Sequence, residues 1–244
     1  MKSLRPALLV TSGKGGTGKS LISANVAYHM SKIGRVALID GDIRAPNLSY
    51  IMGVPNQKLE VDDNRNIIPY RISDNLEMFS MDHFFSRDNG VKRAIILPGE
   101  EIRSIVNQSI YGVSWHNPHA YVIDSDPSTS DVLIALSRIF RDKLYALVVT
   151  TNDISSIFDS QRTIDALIIN NINIIGILGN MIFDGEDDRI RDTAKKFHIN
   201  YLGYIPFNND IRKANNEGHA LIPDDGLSNL IKEVSEYSWR KMGA

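Results

Sequence analysis

Cysteine is absent from the 244 residues of this chain. Its absence excludes disulfides, thiolate nucleophiles and any iron–sulfur cluster held by thiolates of this chain. A large net charge is missing as well, because 27 basic side chains stand against 29 acidic ones. We therefore expect no overall field that would recruit nucleic acid or an anionic membrane, although a local basic patch stays open.

Long apolar runs are also missing, since none reaches the roughly 18 residues of a membrane-spanning helix. The first residues lead directly into a glycine-rich loop without the pattern of a cleavable signal. We expect a cytoplasmic protein that uses no membrane. A hydrophobic content of 43% is enough for one sizeable core, which predicts a single domain over residues 1–244.

Short runs rich in Val, Ile and Leu alternate with segments of helical periodicity. The runs occupy residues 7–11, 36–40, 76–81, 120–124, 144–150, 174–181 and 201–206. Runs of this kind are typical of strands buried on both faces, and their alternation with helices indicates a mostly parallel sheet. The predicted fold is therefore α/β with three layers, a sheet of about seven or eight strands and helices on both faces. Ligands of such sheets bind at the carboxyl ends of the strands.

Two segments interrupt this alternation, residues 53–74 and residues 83–99. The first is rich in Asn, Asp and Pro, which indicates an exposed excursion from the sheet, and the second is similarly irregular. Loops of this composition often carry contacts with other molecules. We expect both segments to offer contact surfaces to a partner protein.

The sequence "GKGGTGKS" follows the first strand directly and leads into a periodic helix, which is the context of a phosphate-binding P-loop. Glycines leave the backbone N–H groups open to phosphates, and the following helix N-terminus favours negative charge. In this pattern Lys19 holds the β- and γ-phosphates of a nucleotide, and the Ser20 hydroxyl is a ligand of Mg²⁺. The predicted phosphate-binding residues are Gly13, Lys14, Gly15, Gly16, Thr17, Gly18, Lys19, Ser20 and Leu21.

Carboxylates follow two of the predicted strands. Asp40 and Asp42 end one run, and Asp124 and Asp126 end another. An apolar strand that ends in Asp beside a P-loop is the usual source of the Mg²⁺-shell carboxylate, which points to Asp124. Asp42 could orient an attacking water, whereas Asp40 or Asp126 could simply satisfy neighbouring backbone groups. The candidate metal residues are Ser20, Asp42 and Asp124, partly acting through water.

The loop carries a second lysine, Lys14, and "SGKGGTGKS" thereby resembles the deviant P-loop K-G-G-x-G-K-[ST] of the Mrp, MinD and ParA ATPases. In that class the extra lysine crosses a nucleotide-sandwich dimer to reach phosphates held by the partner subunit. The resemblance thus implies a homodimer across ATP, with Lys14, Lys19 and Asp42 as the catalytic residues. A cation that arrives only on dimerisation would compensate transition-state charge as an arginine finger does.

Within this class the chain looks most like the Mrp branch of iron–sulfur carrier ATPases along nearly its whole length. "LIDGDIRAPNLSYIMGV" resembles the D-x-D-x-x-G-P-[SN] segment of that branch, which implies that Asp42 directs the nucleophilic water. "IDSDPSTSDV" resembles another, which implies that Asp124 belongs to the Mg²⁺ shell. Further along, "GNMI" and "LGYIPFNNDIRKANNEG" follow the order of the family. There the resemblance implies that Asn180 reads adenine and that Pro206 flanks the base.

The chain departs from the branch in two respects. Ala45, Asp126 and Ser128 stand where the branch has Gly, Pro and Gly, which would alter the switch loops. The branch's C-x-x-C pair, expected shortly after "NM" in "GNMIFDGEDDRIR", is missing. The resemblance therefore implies ATP or ADP and Mg²⁺ as cofactors but no iron–sulfur cluster on this chain, so that an unidentified protein client would supply the cysteines.

Two other functions stay open. A positioning or partitioning ATPase of the MinD or ParA type would need a membrane helix or a DNA-binding surface. The C-terminal segment has Leu227, Leu230, Ile231 and Val234 on one face. Glu233 and Glu236 make its polar face more acidic than that of a membrane helix, which favours docking on the core. A bacterial P-loop tyrosine kinase would share "DGDIRAP" but would carry a C-terminal tyrosine cluster in place of Tyr237 alone.

Overall fold

A computed structural model of the chain describes residues 4–43, 46–54, 60–80, 99–126, 131–218 and 226–244. Its strands are β1 (Ala7–Thr11), β2 (Val36–Gly41), β3 (Tyr70–Ser73), β4 (Leu76–Phe79), β5 (Ala120–Ser125), β6 (Leu144–Thr150), β7 (Asn173–Ile182) and β8 (Tyr201–Pro206). They form one sheet in the order β3-β4-β2-β5-β1-β6-β7-β8. Every neighbouring pair is parallel except β3 with β4. The prediction of a mostly parallel α/β sheet is confirmed.

Helices cover both faces of this sheet. They are α1 (Lys19–Ser31), α2 (Leu48–Ile51), α3 (Gly99–Tyr111), α4 (Asp131–Phe140), α5 (Ile154–Ile169), α6 (Asp188–Phe197), α7 (Asn209–Asn216) and α8 (Gly226–Met242), with a 3-10 turn at Arg141–Lys143. Side chains alternate along each strand, so that Leu9 of β1 packs toward α3, α4, α5 and α6 while Leu8 packs toward α1 and α8. Three layers result, as predicted. None of the helices in these described ranges is both long and apolar enough to cross a bilayer.

Seven of the eight strands lie where the apolar runs predict them, and β1, β6 and β8 begin and end at the predicted residues. The expectation that residues 53–74 form only an exposed excursion is wrong for the latter part of that segment. Residues 70–73 are strand β3, which pairs with β4 at the sheet edge, and Ile67 forms bridges with Val61 and Val113. Residues 55–59 and 83–98 lie outside the described residues.

Helix α8 packs against α1 on one face of the sheet. Ile231 and Val234 are buried there, as the prediction of a core-docking helix requires. Ser235 and Ser238 are also buried, and their hydroxyls donate to the carbonyls of Ile231 and Val234 one turn earlier. Small polar side chains that bond back to their own helix let α8 approach α1 without leaving a polar group unsatisfied.

Candidate functional site

The glycine-rich loop joins the carboxyl end of β1 to α1, and at Gly13 and Gly18 it approaches its neighbours too closely for a side chain. Gly18 has a φ of +84°, and a Cβ there would lie 2.2 Å from Asn180 Nδ2. A Cβ at Gly13 would lie 2.1 Å from the backbone carbon of Asp159 in α5. The loop is thereby wedged between β7 and α5, which fixes its backbone before any ligand arrives. Beyond it, the first turn of α1 presents N–H groups that have no carbonyl one turn earlier within the helix.

Asn180, at the carboxyl end of β7, is buried against this loop. Its side-chain amide donates a hydrogen bond of 2.8 Å to the carbonyl of Thr17. The bond uses one of the two N–H donors of the amide and ties β7 to the phosphate loop. The sequence-based role of Asn180 is reading adenine, and here its amide contacts the loop backbone.

Lys19 and Asp124 form the buried charged centre of the site. Asp124 lies next to the last residue of β5 at a fully buried position, and its Oδ1 accepts a hydrogen bond of 2.9 Å from Ser23 Oγ. Burial raises the pKa of Asp124 to about 6, while the ammonium of Lys19 and the hydroxyls of Ser20 and Ser23 oppose that rise. The predicted phosphate lysine, the metal-ligating serine and the strand-end aspartate therefore lie together.

The second carboxylate oxygen of Asp124, Oδ2, is suited to bind a metal ion. Asp124 Oδ2 is shielded from solvent and has no hydrogen-bond partner in the described part of the chain. A buried carboxylate oxygen without a partner is costly unless a cation or an ordered water satisfies it. Mg²⁺ prefers oxygen ligands and is held by one or two carboxylates together with water and substrate phosphates. The Ser20 hydroxyl and the Asp124 carboxylate fit this preference.

Asp40 has a different role from its neighbours. Its carboxylate accepts hydrogen bonds from the backbone N–H groups of Asp42 and Leu48, at 3.2 and 3.0 Å, and from Ser80 Oγ at 2.9 Å. Burial raises its pKa to about 7, with the negative charge of Asp124 adding to the rise. Asp40 thus organises the turn after β2 by accepting hydrogen bonds from its backbone N–H groups. This is the role that the sequence analysis offers for Asp40 or Asp126.

Asp42 is half-buried directly after β2, and its charge also raises the pKa of both Asp40 and Asp124. Three carboxylates therefore share one end of the sheet. Asp126 is buried just beyond β5, and Asp131 begins α4. Ala45 and Ser128, at two of the departures from the Mrp pattern, lie outside the described residues.

Lys14 stands apart from this buried centre. Its side chain is exposed, and its Nζ lies 2.8 Å from Ser155 Oγ at the start of α5. The second lysine of the loop is therefore exposed, whereas Lys19 is buried. Ser155 was not identified from the sequence, because 141 residues separate it from Lys14 and no spacing pattern joins them.

A pocket of about 820 Å³ lies beside the loop. Residues 14–17 and 151–156 form one side, and Met181, Phe183 and Phe207 contribute an apolar end. Phe183 and Phe207 stack with ring centroids 4.5 Å apart. Met181 has a φ of +54°, which is rare for a side chain with a Cβ, and it interrupts the register between β7 and β8. Phe207 lines the pocket, whereas Pro206 is the residue before it and the last of β8.

The segment in which the resemblance would place two cysteines contains an ionic brace. Both carboxylate oxygens of buried Asp187 accept from Arg191 Nε at 2.9 Å, and the Tyr201 hydroxyl donates to Asp187. The Arg191 guanidinium lies 4.5 Å from the centroid of the Tyr201 ring. Desolvation opposes ionisation of Asp187, but the hydrogen bonds from Arg191 and Tyr201 outweigh it and lower the pKa of Asp187. The brace ties the N-terminus of α6 to β8.

The chain is similar to known P-loop NTPases along most of its length. The family described as ParA, NUBPL iron-transfer P-loop NTPase, matches residues 3–238. The iron-sulfur cluster carrier protein of Methanococcus maripaludis is 28% identical over 237 residues, covering 92% of this chain and 81% of that protein. The corresponding protein of Rickettsia prowazekii is 31% identical over 215 residues, covering 88% of this chain and 65% of that protein. The chain thus spans just under two thirds of the Rickettsia relative.

Solved structures share the fold at lower identity. The septum site-determining protein MinD of Pyrococcus horikoshii, complexed with Mg-ADP, has a TM-score of 0.71 at 19% identity over 98% of each chain. A nucleotide-binding protein of Archaeoglobus fulgidus in complex with ADP has a TM-score of 0.67 at 19% identity, covering 88% of this chain and 87% of that one. These likenesses confirm the fold of a MinD-type P-loop NTPase.

Proposed function

Because the chain belongs to the ParA family of NUBPL iron-transfer P-loop NTPases, we propose that it is a Mg²⁺-dependent ATPase that works as a dimeric switch. One observation carries this proposal. Buried Lys19 and Asp124 form a charged centre together with half-buried Ser20, while a second lysine, Lys14, lies exposed at the other end of the same loop. A centre that binds nucleotide within one subunit and a cation that faces outward are the two parts that a switch of this type needs.

The nucleotide-binding step rests on the loop. Residues 13–21 surround the phosphates through their backbone N–H groups, and the Lys19 ammonium neutralises the β- and γ-phosphates. Ser20 and Asp124 hold Mg²⁺, with Asp42 contributing through water. Bound Mg²⁺ supplies charge neutralisation at the phosphate oxygens. Solved relatives in complex with ADP and with Mg-ADP support this assignment.

The proposed base subsite combines the resemblance to the family with the lining of the pocket. Asn180 and Pro206 border the base by resemblance to the family, and the pocket adds an apolar end at Met181 and Phe207. Aromatic faces stack on purine bases regardless of sequence context. We propose that Phe207 packs against the adenine while Asn180 holds the loop carbonyl of Thr17 and offers its remaining polar atoms to the base.

The hydrolytic step needs two further groups. Asp42 orients the attacking water as a general base or positioning group, since it is the half-buried carboxylate nearest to solvent in the acidic group. The Lys14 side chain extends across the dimer interface, and its ammonium compensates negative charge on the phosphates bound by the partner subunit. Hydrolysis is thereby coupled to assembly of a homodimer across the nucleotide.

The chain differs from the named relatives in its capacity to hold an iron–sulfur cluster. Iron-sulfur cluster carrier proteins are among the similar proteins, but this chain has no cysteine. We propose that it holds no cluster itself and acts on a protein client that carries the cysteines. We also propose a single domain over residues 1–244 and a cytoplasmic site of action.

A direct experiment measures the sedimentation of the chain with and without Mg-ATP, together with phosphate release. The proposal predicts a shift from monomer to dimer with ATP but not with ADP, and turnover that depends on protein concentration. Absence of both ATP binding and phosphate release in a folded chain would contradict the proposal. Anaerobic reconstitution with iron and sulfide tests the cargo statement, which a stoichiometric coloured cluster on the isolated chain would overturn.

A further inference from the structure

Helix α5 packs on the sheet through one face and leaves an unusually apolar face in solvent. Ile157, Ile164 and Leu167 are buried on the inner face. On the outer face Phe158 is 58% exposed and Ile169 is 77% exposed. A single exposed apolar residue is ordinary, but several on one helix face indicate an interaction surface.

The outer residues of α5 follow one line along the helix. At about 100° per residue, positions 154, 158, 162, 165 and 169 fall within a stripe about 80° wide. We call these five residues, Ile154, Phe158, Arg162, Asp165 and Ile169, the α5 stripe. Its two charged residues lie between Phe158 and Ile169, and all five are exposed.

The central charges of the stripe are available for a further contact. The Arg162 side chain is 81% exposed and lies 3.3 Å from Asp159 of its own helix. An exposed pair of this spacing contributes little and uses few of the five guanidinium donors. Asp165 is exposed, and the described residues give it no hydrogen-bond or ion-pair partner.

The order of residues along the stripe is complementary to itself. When two identical helices pair antiparallel about a two-fold axis, residues whose numbers have the same sum face each other. An axis between 162 and 165 sets Arg162 opposite Asp165 of the second copy, and the same sum sets Phe158 opposite the second copy's Ile169. Each contact occurs twice, so the surface satisfies the requirement of an isologous interface. Opposite charges meet at the centre, and apolar side chains meet on both sides.

We propose that the α5 stripe binds the α5 stripe of a second copy of this chain, antiparallel and without nucleotide. This contact is separate from the ATP-dependent dimer and does not rest on the proposed function. One helix face is smaller than the roughly 800 Å² per partner of a stable interface, so the association is weak and depends on protein concentration. The charge pairing selects the antiparallel arrangement, because a parallel one would set like charges against each other.

Sedimentation equilibrium of the nucleotide-free chain at increasing concentration tests the apolar part of this contact. The wild-type chain should associate, and Phe158→Ser or Ile169→Ser should raise the dissociation constant at least about tenfold. Ile33→Ser is the matched control, because Ile33 is 48% exposed but lies outside α5. Its association should equal that of the wild type. A wild-type chain that stays monomeric throughout, or an equal loss in the Ile33 variant, would overturn the proposal.

Charge reversal tests the pairing itself. Arg162→Asp and Asp165→Arg should each weaken association, and the double variant should restore most of it, since the opposite charges then meet again across the axis. Circular dichroism and ATP titration verify that each variant is folded and binds nucleotide, which separates this contact from the site. A double variant that associates no better than the single variants would contradict the antiparallel pairing. That result is the one expected if the α5 stripe binds a different protein.

Discussion

Lys14 Nζ lies 2.8 Å from Ser155 Oγ, so the outward-facing lysine of the phosphate loop is held by the first turn of α5 in its own subunit. The proposed function requires this lysine to reach the phosphates of a partner. Breaking the hydrogen bond between Lys14 and Ser155 then makes the free energy of dimerisation less favourable. The strength of the bond is modest, since the contact is exposed to solvent.

Ser155→Ala removes this contact and should favour the assembled state. An exposed hydrogen bond contributes about 0.5–1.5 kcal/mol, and each dimer breaks two of them. Their loss predicts an ATP-dependent dimer at about five- to 150-fold lower protein concentration. The measurement is sedimentation velocity with Mg-ATP over a concentration series. Ser137→Ala is the control, because Ser137 is a half-buried serine whose hydroxyl donates an exposed hydrogen bond to Ile134 within α4. Weaker dimerisation of Ser155→Ala would mean that Ser155 supports the assembled state.

Lys19→Ala should abolish nucleotide binding. The Lys19 ammonium is buried beside Asp124 and is the principal counter-charge for the phosphates within the subunit. Isothermal titration with Mg-ATP should give no measurable heat of binding, while exposed Lys195→Ala binds as the wild type does. Unchanged affinity in a folded Lys19→Ala chain would remove the loop from the proposed site.

Gly18→Ala should destabilise the chain even without ligand. A left-handed conformation costs a residue with a Cβ about 1–2 kcal/mol, and the new Cβ would collide with the Asn180 amide at 2.2 Å. We expect the urea midpoint to fall accordingly. Gly15→Ala is the matched variant in the same loop, because its Cβ would meet nothing within 4 Å, and its unfolding free energy should change by less than about 0.5 kcal/mol. Equal losses in both variants would contradict the wedged-loop description.

The brace at Asp187 predicts a specific pH dependence of stability. Its pKa is lower in the folded chain than in the unfolded chain, so its contribution is full above the unfolded value of about 3.9 and disappears as the pH falls through the folded value. Asp187→Asn should therefore be less stable than the wild type at pH 7, and the difference should shrink below about pH 4. Urea unfolding at several pH values measures this. Exposed Asp192→Asn is the control, and a difference that did not vary with pH would contradict the brace.

The parts of the site that the sequence predicts are those encoded locally. Lys19 and Ser20 follow from the spacing of one loop, and Asp124 follows from the rule that the carboxyl ends of parallel strands meet at one edge. The contact between Lys14 and Ser155 could not be predicted, because it depends on how α5 is placed after β6. The same holds for Asn180, whose amide reaches the Thr17 carbonyl only because β7 and β1 lie on either side of β6.

The missed strand β3 has a physical explanation as well. An antiparallel edge strand needs one buried face, so Tyr70 and Ile72 are partly buried while Arg71 and Ser73 are exposed. Four alternating residues after a polar, Asn-rich stretch resemble a loop in composition. Pairing with β4, rather than any local preference, makes them a strand.

Mixing two inactive variants tests the central claim that Lys14 acts across the dimer. Lys14→Ala lacks the crossing cation, whereas Asp42→Ala lacks the group that positions water but keeps Lys14. In a mixed dimer, the subunit that carries Lys14→Ala has its own Asp42 and receives Lys14 from its partner. Phosphate release should therefore reappear on mixing, at up to about one quarter of the wild-type rate if all pairs form equally. If the mixture stayed as inactive as its components although the two variants formed dimers, Lys14 would not act in trans and the proposed switch would be contradicted.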